Sequence, residues 1–201
     1  AERRPAKIAL AANLPAPCYK EASKITCASN ARATGGGTVL VAMWHGFHVR
    51  IFGLCVDVSS TTVAAHLTNL TTGAVAASAG LMNPQIRFGE DLMSRVSYVM
   101  MNPGGERQLT EAVRDALNEL IVELCNDGGA TIGELLEIVL VGNPIMHHIV
   151  AGIDPTPLGQ APFTLATAEA IVAEAADFGL ACPNAQVYLG PCIAGHVGAD
   201  T

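Results

Sequence analysis

The sequence predicts a mixed α/β fold in which an antiparallel meander opens into alternating helices and strands. Three observations carry this expectation. The strand-like runs "GLCVDV", "TTVAAHLTNL" and "AVAASAGLM" follow one another across turns too short for anything but antiparallel neighbours. "LTEAVRDALNELIVELC" places Leu109, Ala112, Val113, Ala116, Leu117, Leu120, Ile121 and Leu124 on one helical face, opposite Glu111, Arg114, Asp115, Glu119 and Glu123. "EIVLV", residues 137–141, is a short, continuously apolar run of the kind found in buried central strands.

In chain order, residues 1–37 show weak periodicity and end in "ATGGG", so they are expected to be a linker or poorly ordered segment. "TVLVAMW" is a strand candidate within 38–50, and the run through "GFHVRIFGLCVDV" ends near Val58. After the meander, "FGEDLMSRVSYVMM" puts Leu92, Val96, Val99 and Met100 on one helical face, with Asn102-Pro103-Gly104-Gly105 as its stop. The long helix stops at Asn126-Asp127-Gly128-Gly129. Asn143 is a good N-cap and Pro144 opens the helix "PIMHHIVAGI". "DPTPLGQAPF" reads as an extended, proline-fixed loop, 168–178 as a helix, and "AQVYLGP" as the last strand.

Composition excludes several classes. The 201-residue chain is half hydrophobic, so it can bury a sizeable core, and its net charge of −7 leaves no basic stripe for nucleic acid. No apolar run approaches a membrane span, and Pro5, Lys7 and Asn13 interrupt any signal-peptide core, so a cytoplasmic location without membrane partners is expected. The six cysteines, at 18, 27, 55, 125, 182 and 192, contain no CxxC spacing and are read as reduced and structural. Cys55 and Cys125 fall in apolar patterns as small buried hydrophobes. The sequon Asn69-Leu70-Thr71 is then a chance match.

Four segments carry candidate chemistry. Asp57 ends a strand and Ser59, Ser60, Thr61 and Thr62 follow it, which suits either a phosphate-handling turn or a hairpin whose Asp bonds its own turn. "VLVGNPIMHH" is a strand–Gly142–Asn143–helix junction where an anion is favoured, although Asn143 is equally a plain N-cap. Its adjacent His147 and His148 point in different directions on a helix and read as structural. Gly195 and Gly198, followed by Asp200, look like the start of a second glycine-rich turn. Arg87, Glu90, Asp91 and Arg95 cluster at a helix start, where surface ion pairs are the simplest reading.

The element order resembles that of the ribonuclease-H-like lobe of actin, Hsp70 and sugar kinases. More specifically, "GLCVDVSSTTVAAHL", "MNPQIRFGEDLMSRVSYVMMNPGG", "EIVLVGNPIMHHIVAGIDPTPLG" and "PCIAGHVGADT" closely resemble, in this order and spacing, the reductive activators of corrinoid-dependent methyltransferases. These are ferredoxin-linked proteins with an actin-type ATPase domain. The resemblance covers about residues 38–201. It implies that 38–50 hold the last strand of a middle domain and 51–201 the first ATPase lobe.

By position, the resemblance implies that Asp57, Ser59, Ser60, Thr61 and Thr62 form the first phosphate and metal loop, with Gly142 and Asn143 at the cleft edge. Gly195, Gly198 and Asp200 would begin the second loop, and Asp57 and Asp200 would face Mg²⁺. The implied cofactor is ATP or ADP with Mg²⁺. The parent family's [2Fe–2S] cluster has no ligand pattern here. The implied partner is the corrinoid protein of a methyltransferase system, returned from Co(II) to Co(I), with a homodimer as a second partner class. Ser59 stands where the family has glycine, and the chain stops at Asp200-Thr201, where a second lobe is expected. Alone, the chain is therefore expected to be inactive and to bind nucleotide weakly. The alternative reading is a non-enzymatic interaction or dimerisation module with a degenerate nucleotide site. An acetate- or sugar-kinase-like phosphotransferase fits the fold but has no matching substrate motif.

Overall fold

The computed structural model describes residues 25–30, 39–195 and 197–200. The chain divides into two compact units, one ending at Val49 and the other beginning at Arg50.

In the first unit β1 (Ile25–Asn30) pairs antiparallel with β2 (Val39–His45), with an irregularity between Ala28 and Ser29. Thr26 Oγ1 closes the far end, donating to the Gly46 carbonyl at 2.8 Å and accepting from the His48 amide at 3.0 Å. β1 lies inside the segment expected to be a linker. Its residues have little apolar alternation of their own, and the partner β2 supplies the ladder that makes them a strand. The rest of that segment, Cys18 included, lies outside the described residues.

The second unit is built on a six-stranded sheet of order β5-β4-β3-β6-β8-β7. β3 (Phe52–Val58), β4 (Thr62–Asn69) and β5 (Val75–Met82) form the expected antiparallel meander. The hairpin between β4 and β5 turns on Asn69, whose side-chain oxygen accepts from the Thr71 and Thr72 amides at 2.9 and 3.2 Å. The sequon asparagine is thus a turn-former. β6 (Leu135–Gly142) lies parallel to β3, and β8 (Gln186–Leu189) parallel to β6. Antiparallel β7 (Ile171–Glu174) closes the edge.

β7 replaces the helix expected over 168–178. Its local sequence is helix-tolerant, but the open edge of β8 offers four paired residues, and the ladder wins over propensity. A short 3₁₀ turn at Ala175–Phe178 follows, ended by Gly179 at φ 66°.

Helices α1 (Leu92–Met101), α2 (Gly105–Asp127) and α3 (Pro144–Ala151) join one apolar core with Phe52, Leu54, Val56 and Val58 of β3 and Val63, Ala65 and Leu67 of β4. Strand alternation then leaves Cys55, Asp57, His66 and Ser78 exposed on the other face. Cys55 is therefore not the buried hydrophobe expected of it: on a strand, its neighbours Leu54 and Val56 take the inward positions. α1 also differs from expectation. Met100 is exposed, and the inward positions are Arg95, Val96 and Val99. No helix among the described residues is long and apolar enough to cross a membrane.

Candidate functional site

β3 and β4 are joined through Ser60 and Thr61, with the Ser59 amide donating to the Thr62 carbonyl at 3.0 Å. Phe163 is the one non-glycine with positive φ among the described residues, so Ser60 and Thr61 turn the chain with negative φ. The hairpin is not of the primed type that suits strand twist, and it closes without left-handed backbone at Ser59. What holds it is a set of clamps from behind. Asn83 Nδ2 donates to the Ser59 carbonyl at 2.9 Å, the Asn83 amide donates to the Thr61 carbonyl at 2.9 Å, and Arg95 Nη2 donates to the Ser60 carbonyl. Asn83 and Arg95 are both fully buried.

Arg95 extends this network inward. Nε donates to the Gly89 carbonyl at 3.0 Å, and Nη1 reaches Gln85 Oε1 at 3.1 Å and Met146 Sδ at 3.4 Å. Gln85 in turn donates to the Leu109 carbonyl of α2 at 2.9 Å. Burial lowers the Arg95 pKa and Asp91 opposes that shift, but a guanidinium keeps its charge in protein interiors. The turn's three carbonyls are thus engaged by buried donors. The amides of Ser60 and Thr61 make no hydrogen bond among the described residues. Asp57 beside them is exposed, with Ser59 Oγ at 3.4 Å from each of its carboxylate oxygens.

This corrects the reading of the Arg87–Arg95 region as surface ion pairs. Arg95 occupies the inward position between Leu92 and Val96, and its hydrogen-bond partners are carbonyls, an amide and a thioether. Asp91 caps α1 through the Ser94 amide at 2.7 Å, and that bond together with the Ser94 hydroxyl holds its carboxyl below the ordinary range. Arg87 lies over the Phe88 ring at 4.7 Å. The spacing 92, 95, 96, 99 was the available signal, because a residue at that phase of an apolar stripe faces inward whatever its charge.

The other candidate residues meet the hairpin at the carboxyl ends of the parallel strands. Val58 lies opposite Gly142 and Asp57 opposite Val141. A Cβ at Gly142 would lie 2.9 Å from the Val58 carbonyl oxygen. Gly198 packs against the Gly142 carbonyl, where a Cβ would come within 2.9 Å of both Asn143 Cα and Asp200 Oδ1. Gly142, Asn143 and Gly198 thus pack backbone against backbone at the end of β6, with the Asp200 carboxylate near Gly198 and Asp57 paired one residue earlier with Val141, on the side where open α/β sheets bind ligands. Asn143 caps α3 as expected, accepting from the Met146 amide at 3.0 Å. Gly195 packs elsewhere: a Cβ there would lie 2.6 Å from the Phe163 carbonyl, beside a tight turn between Ala194 and Val197.

A second cluster lies on α3. His147, His148 and Cys192 are all buried, with ligating atoms within 4.8 Å of one another. Both ring nitrogens of His147 are buried and have no hydrogen-bond partner among the described residues. Burial, with His148 beside it, pushes the His147 pKa down to about 4. His148 Nδ1 is 2.7 Å from the Pro144 carbonyl, which can only accept, so Nδ1 carries the proton and Nε2 presents its lone pair to the Ala166 amide at 3.1 Å. Burial raises the Cys192 thiol, reinforced by Asp200. The two histidines were expected to diverge, but all of α3 from Pro144 to Val150 is buried, so adjacent positions both point into protein.

Residues 52–201 match the protein family described as the RACo middle region. Over 152 residues the chain is 32% identical to the corrinoid activation enzyme RamQ of Eubacterium limosum, a match covering 75% of this chain and 26% of that protein. It is also similar to a solved reductive activator for a corrinoid, iron-sulfur protein, with TM-score 0.77 and 34% identity over 81% of this chain and 26% of that one. The chain spans about a quarter of the length of these relatives. In sequence and in fold alike, the chain belongs to the RACo middle region family.

Proposed function

We propose that this chain is part of an ATP-dependent reductive activator that returns the Co(II) corrinoid of a methyltransferase system to Co(I), and that it contributes one side of the nucleotide cleft. The observation carrying this reading is the clamped hairpin: Asn83 and Arg95 engage the carbonyls of Ser59, Ser60 and Thr61 and leave the Ser60 and Thr61 amides for an anion. The meander order β5-β4-β3 with β6 and β8 parallel to β3 supports a ribonuclease-H-like lobe.

The residues present fit a Mg-nucleotide. Ser60 and Thr61 donate backbone N–H groups to phosphate, and the buried Arg95 charge behind the turn favours the anion. Asp57 and Asp200 offer exposed carboxylate oxygens to hydrated Mg²⁺. Gly142 and Gly198 let the backbones of the two segments pack closely at the strand-end edge beside the turn. Nucleotide hydrolysis would supply the driving force for an unfavourable electron transfer. Among the described residues the ligand grouping is His147, His148 and Cys192, which does not supply the four thiolates of a [2Fe–2S] cluster.

Titration with Mg-ADP, followed by calorimetry and by backbone amide resonances, tests the reading. Binding is expected near millimolar, about −4 kcal/mol, with the Ser60, Thr61 and Gly142 amides shifting together. Stationary Ser60 and Thr61 resonances in millimolar Mg-ADP would overturn it.

A further inference from the structure

We propose that His147, His148 and Cys192 bind a single zinc-class divalent cation at the junction of α3 and the segment after β8. Two imidazoles and a thiolate form the N/S donor set that selects zinc and its neighbours over Mg²⁺ or Ca²⁺. His147 points to a ligand independently of that grouping. It is 2% exposed, and neither ring nitrogen has a hydrogen-bond partner among the described residues, a state that buried polar groups normally avoid. His148 is held as metal-ligating histidines commonly are: Nδ1–H donates to the Pro144 carbonyl, which fixes the ring and leaves Nε2 as the nitrogen with a lone pair. Cys192 is positioned by its own amide, which donates to the Ala168 carbonyl at 3.0 Å.

Coordination exchanges the Ala166 N–H···Nε2 bond for an Nε2–metal bond, and the thiol proton leaves to solvent as the sulfur–metal bond forms. Three protein ligands leave a fourth position for water. The cation would tie the chain end beyond Cys192 to α3, and so hold Gly198 against Gly142 and Asn143. The inference does not rest on nucleotide binding, since no residue of the Asp57 hairpin takes part.

The test uses Co²⁺ as probe on the full chain after chelator treatment. One equivalent is expected to bind with a thiolate-to-cobalt charge-transfer band and to be displaced by Zn²⁺ but not by Mg²⁺. Cys192→Ser should abolish the band, and His147→Gln should weaken binding about tenfold or more. Cys55→Ser is the control, because exposed Cys55 sits opposite His66 across β3 and β4 and could bind Co²⁺ on its own. A band that survives Cys192→Ser and vanishes in Cys55→Ser, or no band at all, would overturn the proposal. If Cys192→Ser does not fold, the unsubstituted chain decides. The ring-nitrogen resonances of His147 and His148 should shift with one equivalent of Zn²⁺, and stationary resonances would reject the site.

Discussion

The side chain of Asn83 donates to the Ser59 carbonyl over 2.9 Å while the Asn83 amide donates to the Thr61 carbonyl over 2.9 Å, so one buried residue holds both ends of the Asp57 turn. Asn83 also accepts from the Gln85 amide at 3.0 Å. Asn83→Ala should therefore strip the Ser59 carbonyl of its donor and remove that cap. A loss of about 1–3 kcal/mol is expected, read from the urea midpoint at unchanged m-value.

Arg95→Met keeps the bulk of the side chain and removes its donors, leaving the Ser60 and Gly89 carbonyls and Gln85 Oε1 short of partners in the interior. The expected cost is about 3 kcal/mol or more, measured by chemical denaturation. Arg95→Lys retains the charge but lacks the fork that reaches several acceptors at once, so it should recover only part of that stability.

Two glycines at the strand ends should respond differently to alanine. At Gly142 the obstructing atom is the Val58 carbonyl of the central sheet, which cannot retreat, so Gly142→Ala should cost about 1–3 kcal/mol. At Gly198 a Cβ would meet the Gly142 carbonyl more closely still, and Gly198 is itself buried, so the backbone must shift. Gly198→Ala should cost at least as much and, unlike Gly142→Ala, should also speed hydrogen exchange at the Val197 and Ala194 amides, which bridge the preceding turn.

Ser59 has negative φ, so Ser59→Gly should lower stability by about 0.5–1 kcal/mol through backbone entropy. Under the proposed function it should also tighten Mg-ADP binding, because the Cβ and hydroxyl no longer crowd the phosphate. Calorimetry on both chains decides this. Unchanged affinity would mean that the hairpin only builds the sheet.

Glu134 links acid sensitivity to the start of β6. Burial raises its pKa, but hydrogen bonds from Arg50 and from the Thr131 amide at 2.7 Å outweigh this and hold it below the usual range. A carboxyl depressed in the folded state stabilises fully above its unfolded pKa of about 4.3, and that contribution is lost as pH falls through the folded value. Glu134→Gln should be less stable than the parent at pH 7, and the gap should narrow below pH ~4. A gap that widens on acidification would reverse the assigned sign.

Much of this architecture is local and was legible. The alternation of β3 and β4, the stripe of α2, the apolar run of β6 and the Asn143–Pro144 helix start are all written within a few residues of themselves. So was the position of the Asp57 turn. The clamps behind it were not, because Asn83 and Arg95 act on Ser59, Ser60 and Thr61 across a long stretch of chain. The helix expected over 168–178 failed for the same reason, since only the edge of β8 makes Ile171–Glu174 a strand.

By itself, then, the sequence determined which residues could face a core and where the chain must turn, since periodicity and turn chemistry are short-range properties. Tertiary structure alone decided which of the polar residues would be buried together. It placed Arg95 beneath the turn carbonyls and brought Cys192 to His147 and His148. Such groupings depend on how strands order and helices dock, and desolvation makes each buried group either find a partner or wait for one.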